Sequence, residues 1–467
     1  MEPTYPSADL PVENPTESYW LSQPHGILEN FSSGENLPSS TQVVIIGSGI
    51  SGALIAHEIQ SREPEATIVM LEARIVCNGA TGRNGGHIKP DCYKSFENRQ
   101  KKYGTEIAKT LCRFEVENMN DCVKFIRDQG WANDIDLDET RSVDFFMTED
   151  GWKEAKECLK KYDEAGGNLV DIKAFEKVET EQSFRFEHAF GAVTYPACSL
   201  WPRKLVLKLL DGTLSRGLQL FAHTPALDIS ESGDKGSPWL IHTSRGDIRC
   251  NRIYHATNGY VSHLLPEFAG KIVPLKGHVA AIQPSPAFES DPMAYTSGIQ
   301  WGSDFDYMIQ RPTDGKPLIY GGQDLAHPRS LIGAVGDSDD SVCNPEIQKA
   351  LMEFPSKYMR EWGTKTTVRY SWTGIMGYTA DELPFVGEVP GRPGQFVAAG
   401  FSGHGMARVF LTIKALMQLA YNETVDPRVP SPYFDIQKRL DVDDEWWEEI
   451  LKDAYGPQGD VTTTPKL

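Results

Sequence analysis

The sequence predicts an α/β fold, and three observations lead to that prediction. The stretch QVVIIGSG (42–49) is an apolar run without alternation, typical of a strand buried in a parallel sheet. Gly47, Gly49 and Gly52 follow at G-x-G-x-x-G spacing and open a helix predicted over residues 51–61. A second apolar strand, ATIVMLEA, ends near Glu72. Strand, glycine turn, helix and strand in this order predict a Rossmann-like nucleotide-binding unit.

This unit carries the residue types that hold a dinucleotide. Gly47 permits the tight turn, Gly49 lets the backbone approach a pyrophosphate, and Gly52 lets the helix pack closely on the strand. The helix N-terminus then presents N–H groups to the phosphates. Glu72 follows at about 20 residues, where a carboxylate accepts hydrogen bonds from ribose hydroxyls. Glycine turns also occur without ligands, but the full order of elements favours a dinucleotide.

Composition narrows the class of protein. The chain has 467 residues, 40% hydrophobic and 24% charged, as in ordinary soluble proteins, and is long enough for two lobes. Its formal charge of −19 argues against nucleic acid or an anionic membrane as partner. No apolar run approaches the roughly 20 residues of a membrane helix. We therefore expect a protein that binds a small molecule; its oligomeric state is left open.

Targeting signals and cysteines point to the cytoplasm. The N-terminus has neither the basic start nor the apolar core of a secretory signal. The C-terminal PKL resembles the peroxisomal address S-K-L except at its first residue, so a peroxisomal location is the weaker alternative. The eight cysteines are scattered, without a C-x-x-C pair, and are expected to be reduced and mostly buried. Because no Cys/His cluster has zinc spacing, no metal is predicted.

The segment after Glu72 favours FAD over NAD. Instead of a further strand–helix unit, ARIVCNGATGRNGGHIKPD forms a glycine-dense loop. Within it, Thr81, Arg83 and a row of backbone N–H groups predict a second anion site beside the first. ATNGY (256–260) and AAGFSGHGM (398–406) close later strands, where nucleotides bind in open α/β sheets. A long, two-ended cofactor suits this arrangement.

With these motifs, the chain resembles the FAD-dependent amine oxidase family that includes D-amino-acid, glycine, sarcosine and γ-glutamylputrescine oxidases. The resemblance spans about residues 18 to 422 and rests on VVIIGSGISGALIA, GATGRNGGH, ATNGY, VPLKGH, WTGIMGYTADELPFVG and AAGFSGHGM. GRNGG is most similar to the putrescine-type members, and GFSGHG is shared with the sarcosine-type ones. The motifs are specific for family and cofactor, and much less so for substrate.

The predicted architecture is a Rossmann-like FAD-binding domain with a discontinuous α+β substrate domain. The FAD-binding domain is assigned residues 41–103, 191–272 and 367–425, and the substrate domain residues 104–190 and 273–366. Residues 1–40 form an irregular arm, held to the body by Tyr19 and Trp20. Residues 426–467 form a tail in which DVDDEWWEEILKD is predicted to be a surface helix. An amphipathic helix is predicted between residues 104 and 130, followed by a strand at RSVDFFMT.

The resemblance implies a set of residues that bind FAD non-covalently. Those expected at the pyrophosphate are Gly47, Ser48, Gly49, Ile50, Ser51 and Gly52. Glu72 is expected at the adenosine ribose, with Ala73, Arg74 and Ala226 beside the adenine. The loop from pyrophosphate to isoalloxazine comprises Thr81, Gly82, Arg83, Asn84, Gly85, Gly86 and His87, and later strands add Ala256, Thr257 and Asn258. Gly403, His404, Gly405 and Met406 precede a helix whose positive end would stabilise the anionic reduced flavin.

Five side chains are assigned to the chemistry. His87 is expected to pack against the flavin, with a loop cap or a covalent link as alternatives. His404 is expected near the isoalloxazine, or else bonded to backbone in its turn. Lys276, in PLKGH, is expected near flavin N5 to polarise dioxygen, with an ion-paired lysine as the alternative. Trp372 and Tyr378 are expected in an aromatic wall that attracts a cationic amine, which could also include Trp201, Trp301 and Tyr307.

Two departures from the family pattern bear on cofactor and substrate. Gly374 occupies the position of the covalent cysteine of sarcosine-type members, so a thioether to the flavin is excluded there. Ala407 stands where those members carry a carboxylate-binding lysine, and Arg408 faces another side of the helix. The expected substrate is therefore an amine without a simple α-carboxylate, such as a polyamine, a γ-glutamyl amine or an amine of a biosynthetic pathway.

The predicted activity is oxidation of the C–N bond of a primary or secondary amine by hydride transfer to flavin N5. The imine is then hydrolysed, and dioxygen is the expected acceptor, giving hydrogen peroxide. The alternatives are a dehydrogenase with another acceptor and a flavin-binding protein without amine turnover. The flavin carries the chemistry, and the protein supplies orientation, electrostatics and exclusion of water.

Overall fold

The computed structural model describes residues 5, 7–23, 28, 30–234, 236–302, 304–327, 329, 333–442 and 449–450. In chain order the strands are β1 (Val43–Ile46), β2 (Ile68–Leu71), β3 (His87–Ile88), β4 (Asp138–Phe146), β5 (Lys173–Glu176), β6 (Gly191–Ser199), β7 (Gln219–Phe221), β8 (Ala226–Glu231), β9 (Trp239–Thr243), β10 (Gly246–Cys250), β11 (Arg252–His255), β12 (Val273–Gln283), β13 (Thr296–Gln300), β14 (Phe305–Gln310), β15 (Leu318–Gly321), β16 (Thr367–Tyr378), β17 (Phe385–Glu388) and β18 (Gln395–Ala399). The α-helices are α1 (Ile50–Arg62), α2 (Phe96–Tyr103), α3 (Thr105–Asp128), α4 (Glu149–Glu164), α5 (Lys177–Ser183), α6 (Pro202–Leu214), α7 (Pro286–Ser290), α8 (Pro345–Tyr358), α9 (Gly405–Ala420) and α10 (Ile436–Leu440).

The first sheet is the nucleotide-binding one. Its six strands lie in the order β17-β18-β11-β1-β2-β7, all parallel except the β17–β18 pair. Every residue of β1 and β2 is buried, which is why both read as continuous apolar runs. Helices α1, α6 and α9 share one apolar cluster with one face of these strands. The carboxyl ends of β1, β2, β11 and β18 therefore meet at one edge of the sheet.

The second sheet is larger and mostly antiparallel. Its main path runs β16-β12-β15-β14-β13-β4-β6-β3, and β5 pairs with β6. Only β13 and β4 run parallel within it. Helix α8 packs on it over an aromatic core in which Tyr320 and Phe354 stack at 4.2 Å. A third, antiparallel sheet of β8, β9 and β10 lies beside the first.

The α/β class and the predicted order of elements are confirmed. Helix α1 extends one residue beyond the predicted 51–61 at each end, and the amphipathic helix is α3. Tyr19 and Trp20 are buried, as expected for an arm held to the body. All eight cysteines are free; seven are buried and Cys343 is half-buried.

Domain boundaries differ at three strands. β6 was assigned to the FAD-binding domain but pairs with β4, and β16 was assigned there but pairs with β12. β3 likewise joins β6 in the second sheet. An apolar or alternating pattern shows that a segment is a strand but not which partner it pairs with, so sequence alone could not place these boundaries. Most of the predicted acidic tail helix and the C-terminal PKL lie outside the described residues.

No helix within the described ranges is both long and apolar enough to span a membrane.

Candidate active site

A cavity of about 880 Å³ opens at the carboxyl ends of the first sheet and continues under the second. This volume lies towards the upper end of the range for ligand sites, about 300–1,000 Å³. The first sheet contributes the glycine turn after β1, the end of β2 and the turn before α9. The second contributes residues of β12, β14 and β16. The position follows the rule that open α/β sheets bind ligands outside the carboxyl ends of their strands.

The glycine turn has the backbone geometry that its sequence predicts. Gly47 has φ of 106°, and a Cβ there would lie 2.7 Å from the carbonyl oxygen of Ala256. A Cβ on Gly52 would lie 2.0 Å from the carbonyl oxygen of Gly47, so the helix can approach the turn only with glycine at this position. From this unit, Gly47, Gly49, Ile50 and Ser51 line the cavity.

Glu72 lies at the cavity and is held by the turn itself. Its Oε2 accepts hydrogen bonds from the Ser48 backbone N–H (3.0 Å) and hydroxyl (2.6 Å), and its Oε1 from the Arg74 N–H (3.0 Å). Ser48 is fully buried and does not line the cavity, so it orients Glu72 instead of facing the cofactor. Ala73, Ala226, Ala256, Thr257 and Asn258 complete this end of the cavity.

Arg83, predicted at the second anion site, and Arg74, predicted beside the adenine, both lie at the carboxylate of Asp340. Arg74 donates to both carboxylate oxygens of Asp340, at 2.8 and 2.7 Å, and Arg83 Nε lies 3.5 Å from the same carboxylate. Arg83 also donates to the carbonyl of Thr373 at 2.9 Å. Burial lowers the pKa of Arg83 to about 10. Both guanidinium groups line the cavity, as does Thr81, whose hydroxyl accepts from the Ile50 N–H at 3.1 Å.

His404 caps helix α9 at the other end of the cavity. Its Nδ1 lies 3.1 Å from the carbonyl oxygen of Ser402, and its Nε2 lies 3.4 Å from Asp91 Oδ1. Both neighbours are acceptors, so the imidazole is bonded on both sides only when both nitrogens carry protons. Burial opposes that charge, but the Asp91 carboxylate outweighs it and raises the pKa of His404. Gly403, Gly405 and Met406 line the cavity beside it.

His87 is neutral and lies under the second sheet. Burial lowers its pKa to about 3. Its Nδ1 lies 3.1 Å from the Thr296 hydroxyl, and its ring meets that of Tyr307 edge-on at 5.4 Å. Asn84, Gly85, His87, Tyr307 and Tyr378 line the cavity.

The structure adds a buried charge cluster that sequence reasoning missed. Lys89 and Lys94 line the cavity and share the carboxylate of Asp144, at 3.0 and 2.9 Å. Burial lowers the pKa of Lys89 to about 8. Asp91 lies 3.5 Å from Lys94. The segment HIKPDCYK directly follows the recognised loop, and its three charges so close to a cofactor motif are a signal that could have been used.

Three carboxylates were also missed: Asp304 just before β14, Asp306 within β14 and Asp324 after β15. Asp306 accepts from Trp301 Nε1 (2.7 Å), the Tyr320 hydroxyl (2.6 Å) and the Gln323 N–H (2.6 Å). Asp304 and Asp324 line the cavity, and Asp306 lies behind them. Burial raises the pKa of Asp306 to about 6 and that of Asp324 to about 8. Asp304 and Asp324 lie in connecting segments without periodicity, and the sequence does not show that Asp306, within β14, points towards the donors of Trp301, Tyr320 and Gln323.

Lys276 does not lie where the sequence analysis expected it. Its ammonium forms an ion pair with Asp337 and donates to the Asp339 carbonyl at 3.0 Å. Leu275, Gly277, His278 and Val279 of β12 line the cavity, but Lys276 does not. The alternative of an ion-paired lysine is therefore the one the structure shows.

Trp372 also lies outside the cavity. It is fully buried and donates from Nε1 to the Arg83 carbonyl at 2.8 Å, so it supports the loop from behind. Of the other aromatics, Tyr307 lines the cavity, whereas Trp201 and Trp301 do not. Gly52, Gly82 and Gly86 likewise contribute to packing and not to the lining.

The two departures from the family pattern lie at the cavity wall. Gly374 and Ala407 both line it. Arg408 turns away and donates to Glu115 Oε1 at 2.6 Å, so it does not replace the missing lysine. Asp91, Glu115 and His404 hold potential metal-ligand atoms within 4.8 Å of one another. Their carboxylates are already paired with cations, including Arg408 and Lys94.

These residues fit FAD. One end of the cavity has the groups that bind an adenosine diphosphate. The glycine turn, a helix N-terminus and two guanidinium groups suit the phosphates, and the Glu72 carboxylate suits the ribose hydroxyls. Arg74 Nε is buried without a hydrogen-bond partner among the described residues. The other end offers the N-terminus of α9 and a charged imidazole, which suit a ring system that becomes anionic. One continuous cavity joins the two ends.

Comparison with known proteins agrees with this reading. The family model "DAO: FAD dependent oxidoreductase" matches residues 42–419. Among curated proteins, the chain is 24% identical over 399 residues to a probable oxidoreductase OrdL of Rhizobium meliloti, covering 82% of this chain and 84% of the relative. It is 23% identical over 390 residues to γ-glutamylputrescine oxidoreductase of Escherichia coli, covering 81% and 83%.

Among solved structures, glycine oxidase from Geobacillus kaustophilus superposes with a TM-score of 0.68 at 20% identity, covering 85% of this chain and 98% of that one. This likeness shows the fold alone, whereas the family model matches most of the chain. The chain belongs to the DAO family of FAD-dependent oxidoreductases.

Proposed function

We propose that this enzyme oxidises the C–N bond of a primary or secondary amine. The amine loses a hydride from its α-carbon and a proton from nitrogen to become an imine, which water hydrolyses to a carbonyl compound and the released amine or ammonia. FAD, when bound, accepts the hydride. The names of two similar proteins, γ-glutamylputrescine oxidoreductase and glycine oxidase, support an amine or amino acid as substrate.

One observation carries the proposal: the glycine turn, Glu72 and the N-terminus of α9 all line the same cavity. At the α9 end, the helix dipole and the charged His404 supply positive potential where negative charge develops. Tyr307 and Tyr378 line the same region and can attract a cationic amine by about 0.5–2 kcal/mol each. These residues bind and orient an amine and exclude water from it.

The far end of the substrate is proposed not to be a simple α-carboxylate. Ala407 supplies no cation, and Arg408 is engaged with Glu115. Lys89 and Lys94 line the cavity, but their charges are shared with Asp144 and Asp91. Among the substrates that remain are aliphatic polyamines and γ-glutamyl amines.

Dioxygen is the proposed acceptor, with hydrogen peroxide as product. With Lys276 turned away, the buried ammonium groups of Lys89 and Lys94 are the cations that line the cavity near His87. Such groups stabilise the negative charge that develops on oxygen as it accepts electrons.

The test is anaerobic mixing of the purified yellow protein with a panel of amines: sarcosine, proline, D-alanine, putrescine, γ-glutamylputrescine and aromatic amines. Bleaching of the flavin by an amine supports the proposal, and acid precipitation should leave the flavin in solution if it is not covalently bound. A flavin that no amine bleaches, in a protein that co-purifies with a stoichiometric partner, would favour a binding role instead. Hydrogen peroxide formation on admission of air identifies dioxygen as acceptor.

A further inference from the structure

Asp324 differs from Asp304 and Asp306 because its side chain has no hydrogen-bond or ion-pair partner among the described residues. Only 8% of its surface is exposed, and it lines the cavity. Its Oδ1 is buried without a hydrogen-bond partner among the residues that the structure describes. Asp306 nearby has a full set of donors, and Asp304 accepts from the Phe305 and Leu325 N–H groups at 2.9 and 3.4 Å.

In this corner of the cavity, burial favours the protonated form of Asp324, and a bound cation would stabilise its carboxylate. Burial, reinforced by the charges of Asp304 and Asp306, raises the pKa of Asp324 to about 8. Neither Asp304 nor Asp324 forms an ion pair within the described part of the chain. Lys89 and Lys94, whose ammonium groups lie over the Phe305 ring, are paired with Asp144 instead. A buried carboxylate without a partner is costly, and a cation removes that cost.

The position of Asp324 relates it to the reacting end of the cavity. Burial raises the pKa of the Tyr307 and Tyr378 hydroxyls, and the charge of Asp324 adds to the rise in both. A methyl group on Gly403, in the turn before α9, would come within 2.9 Å of the Tyr378 hydroxyl. Tyr307 lies against Gly321 at the end of β15, three residues before Asp324, and Tyr378 lies against the turn before α9; both tyrosines line the cavity.

We propose that Asp324, with Asp304 beside it, binds a second cationic nitrogen of the substrate, so that the enzyme acts on diamines or polyamines. One ammonium has three N–H donors and can bond both carboxylates at once. The other nitrogen of the same molecule then lies beyond the tyrosines, where its C–N bond is oxidised. This inference rests on the proposed amine oxidation and adds the class of amine.

The experiment compares putrescine with n-pentylamine, in which a methyl group replaces one ammonium. Calorimetric binding to the FAD-loaded enzyme and anaerobic flavin reduction are measured for wild type, Asp324→Asn and Asp228→Asn. The last variant removes one charge from an exposed position on β8, outside the cavity, and controls for net charge. Melting temperatures verify that each variant is folded.

We expect wild type and Asp228→Asn to bind putrescine at least about 30-fold more tightly than n-pentylamine, and Asp324→Asn to lose that preference while binding n-pentylamine as before. Equal binding of the two amines by wild type, or an unchanged preference in Asp324→Asn, would overturn the inference. If Asp324→Asn loses affinity equally for both amines, Asp324 acts in proton transfer or folding, and the inference is overturned as well. Binding and flavin reduction are measured separately. If diamines bind through Asp324 but do not reduce the flavin, the proposed oxidation is refuted and the subsite is not.

Discussion

Asp91 Oδ1 lies 3.4 Å from His404 Nε2, and this contact favours the charged form of the imidazole at the N-terminus of α9. The pKa of Asp91 is held well below its usual range. Burial alone would raise this pKa, but the positive charges of His404 and Lys94 outweigh the effect of burial. The carboxylate is also held in place by Glu115, whose Oε2 accepts from the Asp91 N–H at 2.7 Å. The helix dipole and the imidazolium therefore act in the same direction at this end of the cavity.

Replacing Asp91 with asparagine should change the pH dependence of flavin reduction by amine. Without the carboxylate, burial dominates and the pKa of His404 falls. The imidazolium is then lost at lower pH, so the reduction rate should begin to fall with rising pH earlier than in wild type. Rapid mixing over a pH series measures this. Asp134→Asn, an exposed residue paired with Lys208, removes the same charge elsewhere and should leave the profile unmoved.

The same pair should shape stability against pH. Folding raises the pKa of His404, so its protonation stabilises the fold at pH values below its pKa in the unfolded chain, about 6.5. This stabilisation is lost as the pH rises through the pKa of His404 in the folded protein. A group with a depressed pKa, such as Asp91, stabilises above about 3.9 and loses this as pH falls through its folded pKa. The free energy of unfolding of wild type should therefore exceed that of Asp91→Asn most between about pH 4 and 6.5. A constant difference across the series would refute the coupling.

Gly52→Ala should weaken FAD binding. The added Cβ would lie 2.0 Å from the Gly47 carbonyl oxygen, and that backbone cannot move without opening the turn. We expect a lower ratio of flavin to protein and a loss of about 1–3 kcal/mol in unfolding free energy. The matched control is Gly212→Ala on α6, where the nearest atom to the new Cβ is the end of Arg216 at 3.6 Å. A fully flavinated Gly52→Ala protein would contradict the assignment of this turn.

Much of the cofactor end could be predicted because its constraints are local. A strand of apolar residues, a turn that excludes side chains and a carboxylate after the second strand all leave signals within about 30 residues. Gly47 and Glu72 therefore appear in the structure where the sequence places them. Ser48 was expected at the pyrophosphate but bonds Glu72, because the motif fixes the backbone and not the direction of each side chain.

The substrate end could not be predicted because it is assembled from distant segments. Lys89 follows β3, Asp304 precedes β14 and Asp324 follows β15, and only the folded second sheet brings them to one cavity. Lys276 was misplaced for a related reason. Its neighbours Leu275 and Gly277 do line the cavity, but its ammonium is held by Asp337 and Asp339, which lie about 60 residues further along the chain and reach it only in the folded structure.

Trp20→Ala should destabilise the protein and loosen the loop predicted to run along the flavin. Trp20 is fully buried, and its Nε1 donates to the Asn84 carbonyl at 2.5 Å. Trp201 in turn donates to the Trp20 carbonyl at 2.9 Å, and a Cβ on Gly86 would lie 2.4 Å from the Trp20 ring. We expect a loss of about 3–5 kcal/mol in unfolding free energy.

Denaturant unfolding with and without added FAD checks this. Because the arm packs against the loop, the stabilisation by FAD should be smaller in Trp20→Ala than in wild type. Tyr19→Phe is the milder control, since it removes only a hydroxyl that donates to Asp314 at 3.3 Å. An undiminished FAD effect in Trp20→Ala would show that the arm does not support the cofactor loop.

Lys276→Met should leave both half-reactions nearly unchanged. The ammonium is buried, is ion-paired with Asp337 and does not line the cavity, so its removal should cost about 1–3 kcal/mol of stability without changing the site. We expect flavin reduction by amine and reoxidation by dioxygen to stay within about twofold of wild type. The contrasting variant is Lys89→Met, which removes a buried ammonium that lines the cavity 3.0 Å from Asp144. If reoxidation is slow in Lys276→Met and normal in a folded Lys89→Met, then Lys276, and not Lys89, takes part in the reaction with dioxygen.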